Sequence, residues 1–183
     1  KAVGRDSLPE DLNSFSPPEG IFTLADSRST AVKEKRDTVE ALISLGDYQA
    51  HYCATVSGTL ERVSMLVTEE HFAAFGFSRE EYLGDDWRKA RKPITGQKIC
   101  RLILDYNADL IASGRVGEAI QGILLPSKKA PGERKLVIFS NRVSLGKEIE
   151  VEGVEEVDLA EFGDDLVELQ ARVEEAGSSS SIK

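Results

Sequence analysis

The chain has 183 residues, with 32 acids against 23 Lys and Arg, a formal charge of −9 and a pI near 4.9. Hydrophobic residues make up 40%, which with only two cysteines excludes collagen, a disulfide-stapled mini-protein and wholesale disorder. The length suits one compact domain with a proper core, and the acidic balance argues against a general binder of nucleic acid or anionic membranes.

Residues 1–25 read as an extended arm, with Pro9, Pro17 and Pro18 in it. The chain opens on Lys1 and its only methionine is Met65, which reads as a processed terminus or a fragment boundary. A single domain is expected over 26–176, followed by a flexible Ser-rich tail at 177–183. Asp26 and Ser29 offer caps for a first helix at about 30–45, with Val32, Val39, Leu42 and Ile43 as its apolar stripe and Gly46 at its end. Residues 47–57 are ambiguous between helix and strand, and Leu60, Val63 and Val67 favour a short helix, though the Val and Thr content leaves a strand open. Thr68 and Ser78 then mark two N-caps, the second opening a helix predicted from about 79 to 91.

Gln97–Ser113 is a wide-striped helix, and a stripe of that width predicts burial on most sides. The period then changes. Glu118–Leu125, Lys135–Ser140 and Lys147–Val151 read as strands, joined by short turns that favour an antiparallel meander. Asp158 and Glu161 form a capping box opening the last helix, whose Leu159, Phe162, Leu166, Leu169 and Val173 follow a 3-4 heptad spacing. The fold class expected is α+β, with about five helices packed on a small antiparallel sheet of three to four strands.

No motif forms a catalytic constellation. Gly114-Arg-Val-Gly117 follows a helix and precedes a strand, the reverse of a phosphate-binding loop. His51 and Cys53 would share one side of a strand, yet a reactive thiolate also needs an orienting partner. His71 could serve Cys53 or Cys100 only through tertiary proximity. Cys53 and Cys100 read as two separate packed thiols of a reducing compartment. The row Glu148, Glu150 and Glu152 would lie on one strand face, but a flat row does not converge on a metal ion. The expectation is therefore no catalytic residue, no metal and no cofactor.

Charge is strongly segregated. Residues 147–175 carry twelve acids against Lys147 and Arg172, a net of −10, so the remainder of the chain is +1. Arg88, Lys89, Arg91, Lys92, Lys98 and Arg101 form one basic run beside Trp87, and Lys128, Lys129, Arg134, Lys135, Arg142 and Lys147 form a second. The leading functional expectation is a non-catalytic protein–protein interaction component, an accessory or structural subunit of a larger assembly. Its partner surface would be the acidic helix and its seam, Leu159, Phe162, Asp164, Asp165, Leu166, Leu169 and Val173, facing other protein chains. An RNA-contacting domain using the basic run at 88–101 ranks second, with nucleic acid as a lesser partner. An enzyme of unidentified mechanism ranks third. No apolar run approaches the length of about 18 residues needed for a membrane span. The expected setting is intracellular, in the cytoplasm or an organelle interior after loss of a targeting peptide.

Overall fold

The computed structural model describes residues 21–85, 92–144 and 146–180. These residues form six strands and six α-helices, in the order β1 Ile21–Ala25, α1 Arg28–Ser44, β2 His51–Gly58, β3 Val63–Met65, α2 Glu69–Ala74, α3 Arg79–Gly84, α4 Thr95–Ala112, β4 Gly122–Pro126, β5 Arg134–Phe139, β6 Ile149–Val157, α5 Leu159–Phe162 and α6 Asp164–Ser180. The strands form a four-stranded sheet of order β1-β5-β4-β3 and a separate β2-β6 ribbon. This is an α+β fold, as the change of period indicated.

Of the expected three-stranded meander only β4–β5 is present, extended by β1 at the far side of β5; the third expected strand, at 147–151, falls in β6, which leaves this sheet to pair with β2. The sheet as a whole is mixed, because β3 lies parallel to β4. That pairing needs a crossover, and α2, α3 and α4 supply it. Residues 63–65, where a helix was expected, form β3, and the ambiguous 47–57 stretch resolves as β2. Residues 21–25, placed at the end of the arm by the sequence, are the strand β1. The predicted helix at 79–91 is helical over Arg79–Gly84, and its remainder from residue 86 lies outside the described residues.

Local chemistry fixes most boundaries. Ser27, rather than Asp26 or Ser29, caps α1, its hydroxyl accepting from the Thr30 N–H at 3.2 Å. His71 closes a capping box on α2, with Nδ1 3.4 Å from the Thr68 N–H, so this histidine is spent on a helix end. The Asp158–Glu161 capping box opens a four-residue α5, not the whole terminal helix. Gly163 then adopts φ 137°, a conformation that L side chains rarely take, and the chain restarts as α6. Gly122 at the start of β4 allows a close approach: a Cβ there would lie 2.8 Å from the Val137 carbonyl oxygen.

Two cores result. The first joins Ile123, Leu125, Val137 and Phe139 of the sheet to Leu66, Phe72, Tyr82, Ile99 and Ile103. Asn107 of α4 ties the two layers, donating to the Ile120 carbonyl at 2.9 Å and accepting from the Ile120 N–H at 2.8 Å. The helix α4 is less enclosed than its stripe suggested, because Leu102 and Tyr106 remain about half exposed. The second core holds Val32, Val39 and Ile43 of α1 against Val157, Phe162 and Leu166, flanked by Leu159, Leu169 and Val173. Truncating Leu166, 1% exposed, to Ala is expected to cost about 3 kcal/mol. Gly122→Ala is expected to cost about 1–3 kcal/mol through overpacking. Urea unfolding of both variants checks these values.

Candidate functional site

The strongest concentration of buried polar chemistry lies where β4 ends. Ser127 directly follows that strand and is 3% exposed. Its Oγ accepts from the backbone N–H groups of Lys129 at 3.2 Å and Ala130 at 3.0 Å, which builds the turn toward β5. The hydroxyl proton is donated to Glu34 Oε1, at 2.5 Å. Glu34 stands on α1, one turn after the buried Thr30, so it is aimed at the sheet and not at solvent. The Lys128 N–H also donates to Glu34 Oε1, at 3.2 Å, and Lys135 Nζ donates to Oε2 at 3.1 Å. Glu34 and Lys135 side chains are each 17% exposed.

Electrostatics keep this carboxylate ionised. Burial pushes the Glu34 carboxyl up, but the Lys135 charge and the donors Ser127, Lys135 and Lys129 N–H outweigh it, and the group ends below its ordinary range. Tyr82 completes the surroundings. Its hydroxyl donates to the Pro126 carbonyl at 3.2 Å, and Lys128 Nζ lies 4.5 Å from its ring centroid while donating to the Asp85 carbonyl at 3.1 Å. Burial, reinforced by Glu34, pushes the Tyr82 hydroxyl far up, so it stays protonated.

The arrangement limits what each group can do. The Ser127 oxygen has both lone pairs and its proton engaged, which makes it a positioning group and a poor nucleophile. Glu34 is a weak base with a depressed pKa, suited to stabilising positive charge that develops on a bound molecule or to accepting a hydrogen bond from it. The parallel strands β3 and β4 both end on this side of the sheet, the placement in which α/β sheets collect ligands.

The residues expected from sequence fall elsewhere. Arg88, Lys89 and Arg91 lie outside the described residues. Lys92 and Lys98 are exposed, and Arg101 pairs with Asp105 of its own helix at 2.9 Å. The second basic cluster is largely matched internally: Lys129 with Asp37, Arg134 with Asp26, Lys135 with Glu34. The seam residues Leu159, Phe162, Leu166, Leu169 and Val173 are packed within the second core of this same chain. Asp164 and Asp165 begin α6, with Asp165 2.5 Å from Arg36. His51 and Cys53 do share β2, but His51 Nδ1 donates to the Gln49 carbonyl at 2.7 Å and its ring stacks on Tyr48. Both cysteines are free thiols. Burial pushes Cys100 up to about 11, which removes it as a nucleophile at neutral pH. A bulge in β6 sets Glu152 out of register with β2, so the Glu148, Glu150 and Glu152 row is broken. Among the described residues no group of three or more His, Cys, Asp or Glu could hold a metal ion, and no helix is long and apolar enough to cross a membrane.

Sequence reasoning missed Glu34 and Ser127 altogether and saw Lys135 only as part of a basic cluster. The available signals were slight: Thr30, Glu34 and Asp37 share one face of a largely polar helix, and a serine closes an apolar strand.

No family model matches the chain, and no curated protein matches it. Among solved structures the chain is similar to one from the crystal structure of the M. tuberculosis MbcT-MbcA toxin-antitoxin complex, at 20% identity. The match covers 93% of this chain and 86% of that chain, with a TM-score of 0.51. At that identity the likeness shows a shared fold. It also overturns the expectation of a non-catalytic accessory or structural subunit: the solved structure with this fold is a chain of a toxin–antitoxin complex.

Because Glu34 has a depressed pKa in the folded chain, its contribution to stability is fully present above the ordinary carboxylate pKa and is lost as pH falls through the folded value. The stability gap between wild type and Glu34→Gln should therefore be widest near about pH 7 and shrink below about pH 4. Urea midpoints across that range check it, and a gap independent of pH would remove the ionised pair from the account.

Proposed function

We propose that the chain is an enzyme of the toxin type, and that Glu34 is its reactive carboxylate, positioned by Ser127 and Lys135. The single observation carrying this reading is the desolvated, ionised Glu34, held by three donors from the segment 127–135 at the end of β4. Such a carboxylate costs stability relative to an apolar contact of the same shape, so its presence in a strand-end cluster favours a chemical role. The likeness to a chain of a toxin–antitoxin complex supports the class. It also supports a protein partner that holds the activity in check, and the two free thiols support an intracellular setting.

In the proposed reaction a small molecule sits over the β4 end and is hydrolysed: the bond from carbon to leaving group breaks, a solvent water oxygen bonds to that carbon, and the water's proton leaves with the departing group. The Glu34 carboxylate stabilises positive charge developing at the carbon that loses the leaving group. Lys135 and the turn N–H groups hold the carboxylate ionised and immobile, so no reorganisation is needed at that moment. Tyr82, protonated and fixed against Pro126, shapes the wall.

The test is induced expression in a bacterial host, with growth and the small-molecule pool followed together. Wild type is expected to arrest growth and deplete a discrete metabolite. Glu34→Gln is expected to slow that depletion at least about a hundredfold, the usual scale for losing one charge-stabilising group. Ser127→Ala should give a smaller loss. If Glu34→Gln accumulates to the same level and arrests growth as wild type does, the assignment of Glu34 fails.

A further inference from the structure

The two edges of the β2-β6 ribbon differ in character. Among the described residues, each of these strands pairs with the other alone. The β6 edge is guarded. It carries Glu150, Glu152, Glu155 and Glu156, its bulge leaves Glu152 without a partner on β2, and Arg28 donates to the Glu156 carbonyl at 3.0 Å. Charges, bulges and covering side chains are the devices that keep an edge strand from pairing again. The strand β2 has none of them. Its eight residues, His51–Gly58, include no Asp, Glu, Lys, Arg or Pro, and the extra residue of the bulge lies on β6. Among the described residues, no backbone group of β2 bonds to any element but β6. An uncharged edge of that length is a template for a further strand.

The register assigns each side chain to a face, because residues directly opposite in an antiparallel pair point the same way. Cys53 and Val157 pack with the second core, so their face is the inner one. Glu155, opposite Cys53, and Glu150, opposite Ser57, belong to that side. The outer face carries the pairs Tyr52 with Glu156, Ala54 with Val154 and Val56 with Val151. Tyr52, Val154 and Val151 are 63%, 60% and 58% exposed. The outer face is thus apolar but for Glu156, which stands at one end and on the strand away from the β2 edge.

We propose that β2 pairs edge to edge, antiparallel, with β2 of a second copy of this chain, about a two-fold axis at Ala54. The strand fits itself in that register. Ala54 meets Ala54 of the second copy on the axis, and Tyr52 lies opposite Val56 of the second copy, twice by symmetry. Aromatic and β-branched side chains opposite each other are a favourable cross-strand pair. The uncharged edge selects this occupant, since a charged segment would find no counter-charge on β2, whereas its own copy brings none. The two β6 strands end up on the outside, three strand spacings or about 14 Å apart, which separates their glutamates. Their guarded edges also end the growth of the sheet, so the assembly closes as a dimer. This surface lies on the second sheet, apart from the Glu34 cluster, and the proposal stands whether or not that cluster is catalytic.

The test is analytical sedimentation of the full chain over a range of concentrations, in reducing buffer so that Cys53 forms no cross-link. A monomer–dimer equilibrium is expected. Ala54→Lys and Ala54→Glu each place two like charges on the axis and should weaken the dimer about tenfold or more. An equimolar mixture of those two variants should dimerise again, because opposite charges then meet at the axis. Tyr52→Ala removes two cross-strand pairs and should weaken the dimer about tenfold. Ala54 and Tyr52 are exposed, so thermal unfolding of the monomers should be unchanged. A chain that is monomeric at every concentration overturns the proposal and leaves the edge to a strand of another protein. A dimer indifferent to both Ala54 changes overturns it in favour of a different surface. Loss of the dimer in both variants without recovery on mixing overturns the Ala54 axis and the pairing built on it.

Discussion

Desolvating one carboxylate sets a constraint that much of the fold answers. Glu34 cannot leave water without a full set of donors, and those donors come from a segment nearly a hundred residues away in sequence. Once Ser127, the Lys128 N–H and Lys135 are arranged around it, α1 has a fixed place against the β4–β5 turn. The same helix packs its apolar side, Val32, Val39 and Ile43, into the second core. It therefore joins the two cores by two kinds of force, polar on one side and hydrophobic on the other. Its two arginines extend the junction, with Arg28 reaching Glu155 and Glu161 and Arg36 reaching Asp165.

That junction also accounts for the charge distribution. The basic side chains around 128–135 face acids on α1 and beside β1: Lys129 with Asp37, Arg134 with Asp26, Lys135 with Glu34. They are consumed in holding the molecule together. The acids of β6 have few such partners and stand outward. A chain whose first 146 residues are nearly neutral is thus internally matched there, and its deficit is presented on the ribbon and the terminal helix. Surface pairs of this kind contribute little singly, and it is the part-buried Glu34 set that fixes geometry.

Helices with clear caps or a wide stripe were legible from sequence, because the signals are local. Ser78, Thr68 and the Asp158–Glu161 box all sit at real helix starts. What failed was non-local. The strand β3 is three residues long and takes its identity from pairing with β4, so Val63 and Met65 carry no period of their own. The helix break at Gly163 required a backbone conformation that a heptad spacing running straight through it conceals. Leu102 and Tyr106 look like core and are open, because an apolar residue does not reveal whether anything covers it. The candidate site was invisible for the same reason. Glu34 is an ordinary helical glutamate until the turn at Ser127 is brought beneath it.

The strand order carries a consequence for how the chain is made. Apart from β4 with β5, every strand pairs with a segment distant in sequence: Ile21 awaits Phe139, His51 awaits Val157, and Val63 awaits Gly122. During synthesis β1, β2 and β3 leave the ribosome with no sheet to join, and Glu34 leaves with no donors. The amino-terminal half thus stays without its sheet partners until the β4–β5 hairpin arrives as the template. A chain that has emerged only up to residue 122 exposes unpaired strands, whereas one that has emerged past residue 157 holds every strand needed to complete both sheets.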